Sequence, residues 1–136
     1  MIMPVQGAAQ KSQHIDLVVV DDDSLMLEII AWQLRKTPVT HEFFDMPEEA
    51  RQYLSAVKPK ILIVDFCLPG TNGVDFLLEL NDKNSICDSQ VYLCSAVTPE
   101  RRYIEQIDAL PGVSIMPKAD LCDGSTLLET LYKSAI

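Results

Sequence analysis

Four short apolar runs, at residues 17–20, 61–64, 91–94 and 113–116, constrain this chain more than any other feature. Each is too short for a helix, mostly aliphatic, and bounded by polar or turn residues, so each reads as a strand. Their hydrophobicity is continuous rather than alternating, as a sheet covered on both faces requires. A weaker run at 39–44 mixes Thr40, His41 and Glu42 and suits an edge strand. Helix-period segments lie between the runs. Leu25, Met26, Ile29, Ile30 and Trp32 mark the first, ending near Lys36 ahead of Pro38. Ala50, Tyr53, Leu54 and Val57 mark the second, with Pro47, Glu48 and Glu49 in its first turn. Val74, Leu77 and Leu78 mark the third; Ile104, Ile107 and Leu110 the fourth, which Pro111-Gly112 stops. Leu127, Leu128 and Leu131 mark a last helix running almost to Ile136. Strand and helix thus alternate five times, which forces parallel pairing, right-handed crossovers and a doubly wound α/β sheet.

A chain of 136 residues fits one domain with a real core. Residues 1–14 are small and polar and read as a loose tail, leaving 15–136 as the domain. No run has the length of a membrane span or the pattern of a signal peptide. The formal charge of −9, without a Lys or Arg cluster, argues against direct nucleic-acid binding. Cys67, Cys87, Cys94 and Cys122 form no C-x-x-C pair, so zinc ligation is not expected. They read as free buried thiols in a reducing cytoplasm.

In open parallel sheets ligands bind beyond the carboxyl ends of the strands. At those ends stand Asp21, Asp22 and Asp23, then Asp65, Ser95 and Lys118. Carboxylates brought that close repel one another, so they would take up protons or a cation. Oxygen ligands favour a hard ion such as Mg²⁺, which also accepts phosphate oxygens. A carboxylate held there can be a nucleophile toward phosphorus, with an ammonium and a hydroxyl to hold the other phosphoryl oxygens. Asp21, Asp22, Asp65, Ser95 and Lys118 supply that set.

At these residues the chain resembles response-regulator receiver domains of two-component signalling. Val18-Val19-Val20-Asp21-Asp22 resembles their acidic start, and the segment from Ile63 through Asp65, Pro69 and Gly70 to Gly73 their phosphoacceptor strand and loop. Leu93-Cys94-Ser95-Ala96 resembles the hydroxyl-bearing strand and Met116-Pro117-Lys118 the lysine segment. Any one motif is weak, but four in order are specific. The resemblance implies a flavodoxin-like (βα)5 sheet of order 2-1-3-4-5 and phosphorylation of Asp65 in a Mg²⁺-dependent reaction. Asp22 and Asp65 would ligate the metal directly, Asp21 directly or through water, and the Cys67 backbone carbonyl would complete the protein ligands. Ser95 and Lys118 would hold the phosphoryl oxygens. The donor would be a sensor histidine kinase, a phosphotransfer protein or a small acyl phosphate. The only reaction catalysed would be the domain's own phosphorylation and dephosphorylation. Partners would dock on 99–110, 113–116 and 125–132, and a phosphorylation-linked homodimer is compatible with the family. With no room for an output domain after Ile136, the chain either acts alone on a partner or opens a longer regulator.

Three departures from the pattern stand out. Ile115 stands where the family usually has an aromatic switch residue. Ala119 replaces the proline after the lysine, so a cis bond there is not expected. Cys67 and Val97 stand at the positions that in the family flank the approach of hydrolytic water; neither side chain would orient it well, so slow self-dephosphorylation is expected. Cys67 also fills the place where a haloacid-dehalogenase phosphatase needs a second Asp, which disfavours that enzyme. A pseudo-receiver, an interaction module that is never phosphorylated, is the other alternative. Simpler roles remain for the rest: helix capping for Asp23 or Ser24, surface positions for His14 and His41, core for Trp32 and Tyr53.

Overall fold

The computed structural model describes residues 14–133. The tail expected over 1–14 lies outside them except for His14, which opens the first strand, and so does the end expected for the last helix, at 134–136. In chain order the elements are β1 (His14–Val20), α1 (Ser24–Leu34), β2 (His41–Phe44), α2 (Pro47–Leu54), β3 (Lys58–Asp65), β4 (Cys67–Leu68), β5 (Thr71–Asn72), α3 (Gly73–Asp82), β6 (Gln90–Ser95), α4 (Arg101–Asp108), β7 (Val113–Pro117), a 3₁₀ turn (Lys118–Leu121) and α5 (Gly124–Lys133).

Five strands form one parallel sheet in the order β2-β1-β3-β6-β7. The expected numerals 2-1-3-4-5 are therefore amended, because a small antiparallel hairpin, β4–β5, intervenes after β3. Nothing in its sequence alternates or runs apolar, so the hairpin carried no strand signal.

The central strands β1, β3 and β6 are covered on both faces along their apolar runs; the edge strands are not, and of the run at 113–116 only Met116 is buried, because β7 has a neighbour on one side alone. Val18, Val20, Leu62 and Val64 point to one side and pack with Ala50 and Leu54 of α2, Phe76 and Leu77 of α3 and Ile107 of α4. Leu17, Val19, Ile61 and Ile63 point to the other, against Met26, Ile30 and Leu34 of α1 and Leu127 and Leu131 of α5. Full burial of each such side chain is worth about 1.5–3 kcal/mol.

Two assignments to the interior fail. Trp32 is 64 % exposed, its ring lying under the Arg35 guanidinium at 3.4 Å. Helix α1 is apolar nearly all round, and only its 26–30–34 stripe faces the sheet. Hydrophobicity alone could not say which apolar side chain would be left outside. Of the cysteines only Cys94, in a central strand, is buried; Cys67, in the small hairpin at the rim, and Cys87 and Cys122, in connections, are exposed, and all four are free. Tyr53 is half-buried against the core, its ring 5.1 Å from that of Phe44. No helix among the described residues is long and apolar enough to cross a membrane.

Candidate functional site

The carboxyl ends of β1, β3, β6 and β7 meet at one rim of the sheet. Register brings them there: Val20 pairs with Val64, Asp65 with Cys94, and Ser95 with Pro117. The residues one step further are Asp21, Phe66, Ala96 and Lys118. Parallel pairing thus collects into one pocket groups that lie far apart along the chain.

Asp21 is held by both its backbone and its side chain. Its amide donates to Phe44 O at 3.0 Å, and its Oδ1 accepts from the Asp23 amide at 2.9 Å. Asp23 in turn caps α1, its Oδ1 accepting from the amides of Leu25 and Met26 at 3.1 and 3.3 Å. The acidic triplet therefore divides its duties: Asp23 caps, Asp21 is buried in the pocket and Asp22 is exposed at its edge. Asp65 closes β3 and is 5 % exposed.

Lys118 opens the 3₁₀ turn after β7 and reaches back across the rim. Its Nζ lies 3.3 Å from Asp21 Oδ2 and 3.4 Å from Asp65 Oδ1. One ammonium thus faces two carboxylates. Asp21, Asp22 and Asp65 each place an oxygen within 4.8 Å of the others. Asp21 Oδ2 is buried without a hydrogen-bond partner, the ammonium lying near it but off the line such a bond needs.

These observations fit a hard divalent cation. A Mg²⁺ octahedron spans about 4 Å between opposite oxygens, so small movements would close three carboxylates on it. Asp21 Oδ2, near the Lys118 ammonium but without a hydrogen bond, keeps acceptor capacity that a cation can use. Cys67 lies opposite Asn72 in the hairpin, and the flanking bond runs from the Gly73 amide to Phe66 O at 2.7 Å. This pattern leaves the Cys67 carbonyl outside the ladder.

Ser95 ends β6 at the same rim, but its hydroxyl is turned into its own loop. It donates to the Val97 carbonyl and accepts from the Val97 amide at 3.3 Å. The Lys118–Ala119 bond is trans. Ile115 is 38 % exposed on β7, the edge strand.

Electrostatics set the carboxyl groups apart from ordinary ones. Burial, together with the charges of Asp21 and Asp22, pushes the Asp65 carboxyl up to about 6 against the pull of Lys118. Burial likewise raises Asp21, opposed by its bond from the Asp23 amide and by Lys118. Burial disfavours the Lys118 ammonium, yet the two carboxylates outweigh it and raise its pKa.

A stability test follows from the sign of the Asp65 shift. The folded chain holds the Asp65 proton more tightly than the unfolded chain, so the group's ionisation weakens the fold as pH rises from about 4 through about 6. Asp65→Asn keeps the neutral form at every pH. In chelator at pH 7.5 it is expected to stabilise the protein by on the order of 2 kcal/mol. The gain should vanish toward pH 4. Thermal melts across that range check it, and a gain that persists at pH 4 would contradict it.

Gly73, which the sequence marks only as the end of the phosphoacceptor loop, has a packing role of its own. Gly73 starts α3 against the end of β3; an added Cβ would lie 2.5 Å from Leu93 Cδ1 and 2.6 Å from the Asp65 carbonyl oxygen. A glycine directly after the helix-capping Asn72, whose Oδ1 accepts from the Asp75 amide at 2.9 Å, was the available signal.

Comparison with known proteins bears on the family and the fold. The family model described as the response regulator receiver domain matches residues 17–110. Among solved structures, the chain is similar to the signal receiver domain of an HD-domain-containing protein from Pseudomonas fluorescens Pf-5, with TM-score 0.74 and 19% identity over 90% of this chain and 87% of that one. It is similar to the chemotaxis response regulator CheY4 of Vibrio cholerae, with TM-score 0.74 and 16% identity over 89% of this chain and 98% of that one. A response regulator from Burkholderia pseudomallei, described with a phosphorylated aspartic acid, a calcium ion and citrate, matches with TM-score 0.70 and 16% identity over 86% of this chain and 66% of that one. No curated protein gives a sequence match.

Proposed function

Because this chain belongs to the response regulator receiver family, we propose that it is a phosphorylation switch whose acceptor is Asp65. One observation carries the reading: the buried Asp65 and Asp21 carboxylates share the Lys118 ammonium at 3.4 and 3.3 Å, beside Asp22 at the solvent edge. That arrangement leaves negative charge unbalanced at a strand end, where phosphate and a divalent cation can enter together.

The Asp65 carboxylate attacks phosphorus, the bond from phosphorus to the donor's imidazole nitrogen or acyl oxygen breaks, and the leaving group departs with that electron pair. Lys118 holds a phosphoryl oxygen as charge moves onto it. Ser95 gives up its contact with Val97 and donates to a second oxygen, which couples the loop after β6 to the state of Asp65. Asp21, Asp22, Asp65 and the Cys67 carbonyl would hold Mg²⁺. When bound, that ion neutralises the carboxylates and accepts phosphoryl oxygens. The donor class is a sensor histidine kinase or phosphotransfer protein, in a cytoplasmic setting consistent with four free thiols.

The output surface lies beside the moving loop. Val97, Ile104, Ile115, Met116 and Pro117 line a groove of about 410 Å³ that includes Ser95 itself. Movement of Ser95 would reshape it, and a partner or effector domain would read that change, with or without pairing of two copies.

The test is intact mass after incubation with an acyl phosphate and Mg²⁺. The expected result is one added phosphoryl group, absent with chelator and absent in Asp65→Asn. Once donor is removed, the adduct should decay over minutes to hours, because neither Cys67 nor Val97 orients water. No adduct, with beryllofluoride also failing to bind, would mean an unphosphorylated interaction module.

A further inference from the structure

Gln33 is out of place for a residue in the middle of α1. Its side chain is partly buried, beside the 26–30–34 stripe that covers the sheet. Its Nε2 donates to the Leu121 carbonyl at 2.6 Å and, more weakly, to Ile29 O at 3.3 Å. Its Oε1 is buried with no hydrogen-bond partner. An amide whose oxygen is buried without a partner gives up part of what its donor gains, whereas a leucine or methionine would fill the same helix position without that penalty. The amide must therefore give something other than stability.

Room has been made for it. A Cβ on Gly124, the first residue of α5, would lie 3.3 Å from Gln33 Oε1. The amide fits between α1, the start of α5 and the turn between β7 and α5. That turn is the 3₁₀ segment Lys118–Leu121, so the carbonyl that Gln33 grips closes the very turn that Lys118 opens. Leu121 is fully buried, and the Cys122 amide bonds back to Ala119 O at 3.1 Å. The four-residue turn is thus fastened at its far end to α1, while its near end is stiffened by the fixed φ of Pro117. Within the turn, Ala119 is free of any such ring constraint.

We infer that Gln33 is a positioning residue: by holding the Leu121 carbonyl it fixes the turn that delivers the Lys118 ammonium to Asp65 and Asp21. The role of Lys118 in phosphoryl transfer rests on the function proposed above; the position of its ammonium does not. Gln33→Met removes the donor at similar volume. Gln33→Glu keeps the length but sets an acceptor against the carbonyl, and it serves should the first variant fold poorly.

Two readouts separate positioning from general damage. The first is competitive acylation of lysines in chelator, quantified peptide by peptide. Lys118, screened in its ion pairs, should react about fivefold faster in either variant, the population change one lost hydrogen bond supports. Lys58, Lys60 and Lys83, remote from the turn, should be unchanged. The second is the rate of phosphoryl uptake from acyl phosphate with Mg²⁺, which should fall about tenfold, as misplacement of a transition-state contact predicts. Combining Gln33→Met with Lys118→Met should add no further loss. Unchanged Lys118 reactivity in folded variants would overturn the inference. So would equal acceleration at all four lysines, which would mark loosening of the whole fold. If the wild-type protein takes up no phosphoryl group, the proposed function fails, and the labelling still decides whether Gln33 places Lys118.

Discussion

Lys118→Met is expected to destabilise the protein by about 3 kcal/mol at pH 8 in chelator, the range for stripping the counter-charge from buried carboxylates. Asp21 and Asp65 would face each other with no cation between them, each almost fully buried. The loss should depend on pH in a defined direction. Both carboxyl pKa values already lie above their ordinary range, and removing the ammonium raises them further. The folded variant therefore binds protons more tightly than its unfolded chain. Its deficit is full above the raised folded pKa values and shrinks as pH falls toward 4. Divalent cation should also recover more stability in the variant than in the wild-type chain, because it takes the place of the missing charge. Denaturant unfolding at pH 5 and pH 8, with and without Mg²⁺, measures all of this. A deficit equal at both pH values would mean that Lys118 acts through packing and not through charge.

The second large effect lies at a residue with no charge at all. Gly73→Ala is expected to destabilise by about 3 kcal/mol, near the upper end for overpacking a closed interior. The added carbon would meet Leu93 Cδ1 at 2.5 Å, the Asp65 carbonyl oxygen at 2.6 Å and Phe66 Cα at 3.1 Å. Leu93 is fully buried and two of the three contacts are backbone, so the start of α3 has to move away. That movement breaks the 2.7 Å bond from the Gly73 amide to Phe66 O and disturbs the backbone that carries Asp65. A fall in melting temperature of about 10 °C is expected for a domain of this size. Phosphoryl uptake should fall with it even at temperatures where the variant is folded. A melting temperature close to that of the wild-type chain would show that the helix start yields without strain.

Much of the fold is legible in the residues because each layer is written in a different period. The central strands of the sheet are buried on both faces, and their sequences, from the Leu17 run to the Val91 run, are apolar at every step. The helices repeat every three or four residues and face the sheet with one stripe. What fails is the choice among apolar residues competing for the interior. Trp32 and Ile30 are alike to a periodicity argument, yet one is 64 % exposed and the other fully buried. The cysteines fail for a related reason, since Cys67 lies in the short hairpin and Cys87 and Cys122 in connections, none of which carries a periodic signal. The hairpin after Asp65 is held by backbone bonds that leave no pattern in side-chain hydrophobicity.

The sequence by itself determined which groups stand at the strand ends: Asp21, Asp22, Asp65, Ser95 and Lys118. It could do so because parallel strands must all present their carboxyl ends to one rim, so order along the chain implies meeting in space. Only the tertiary structure decided how these groups divide the work. Hydrogen bonds settle the cap on Asp23, one of the two residues expected to serve, and set Asp21 inside the pocket with Asp22 exposed at its edge, a division between identical neighbours that the sequence does not carry. The Ser95 hydroxyl faces Val97 because of a local loop geometry, and Lys118 reaches two carboxylates because its turn is tied to Gln33, 85 positions earlier in the chain. Such contacts depend on the angle and depth at which packed elements meet, and no single segment of the chain encodes either.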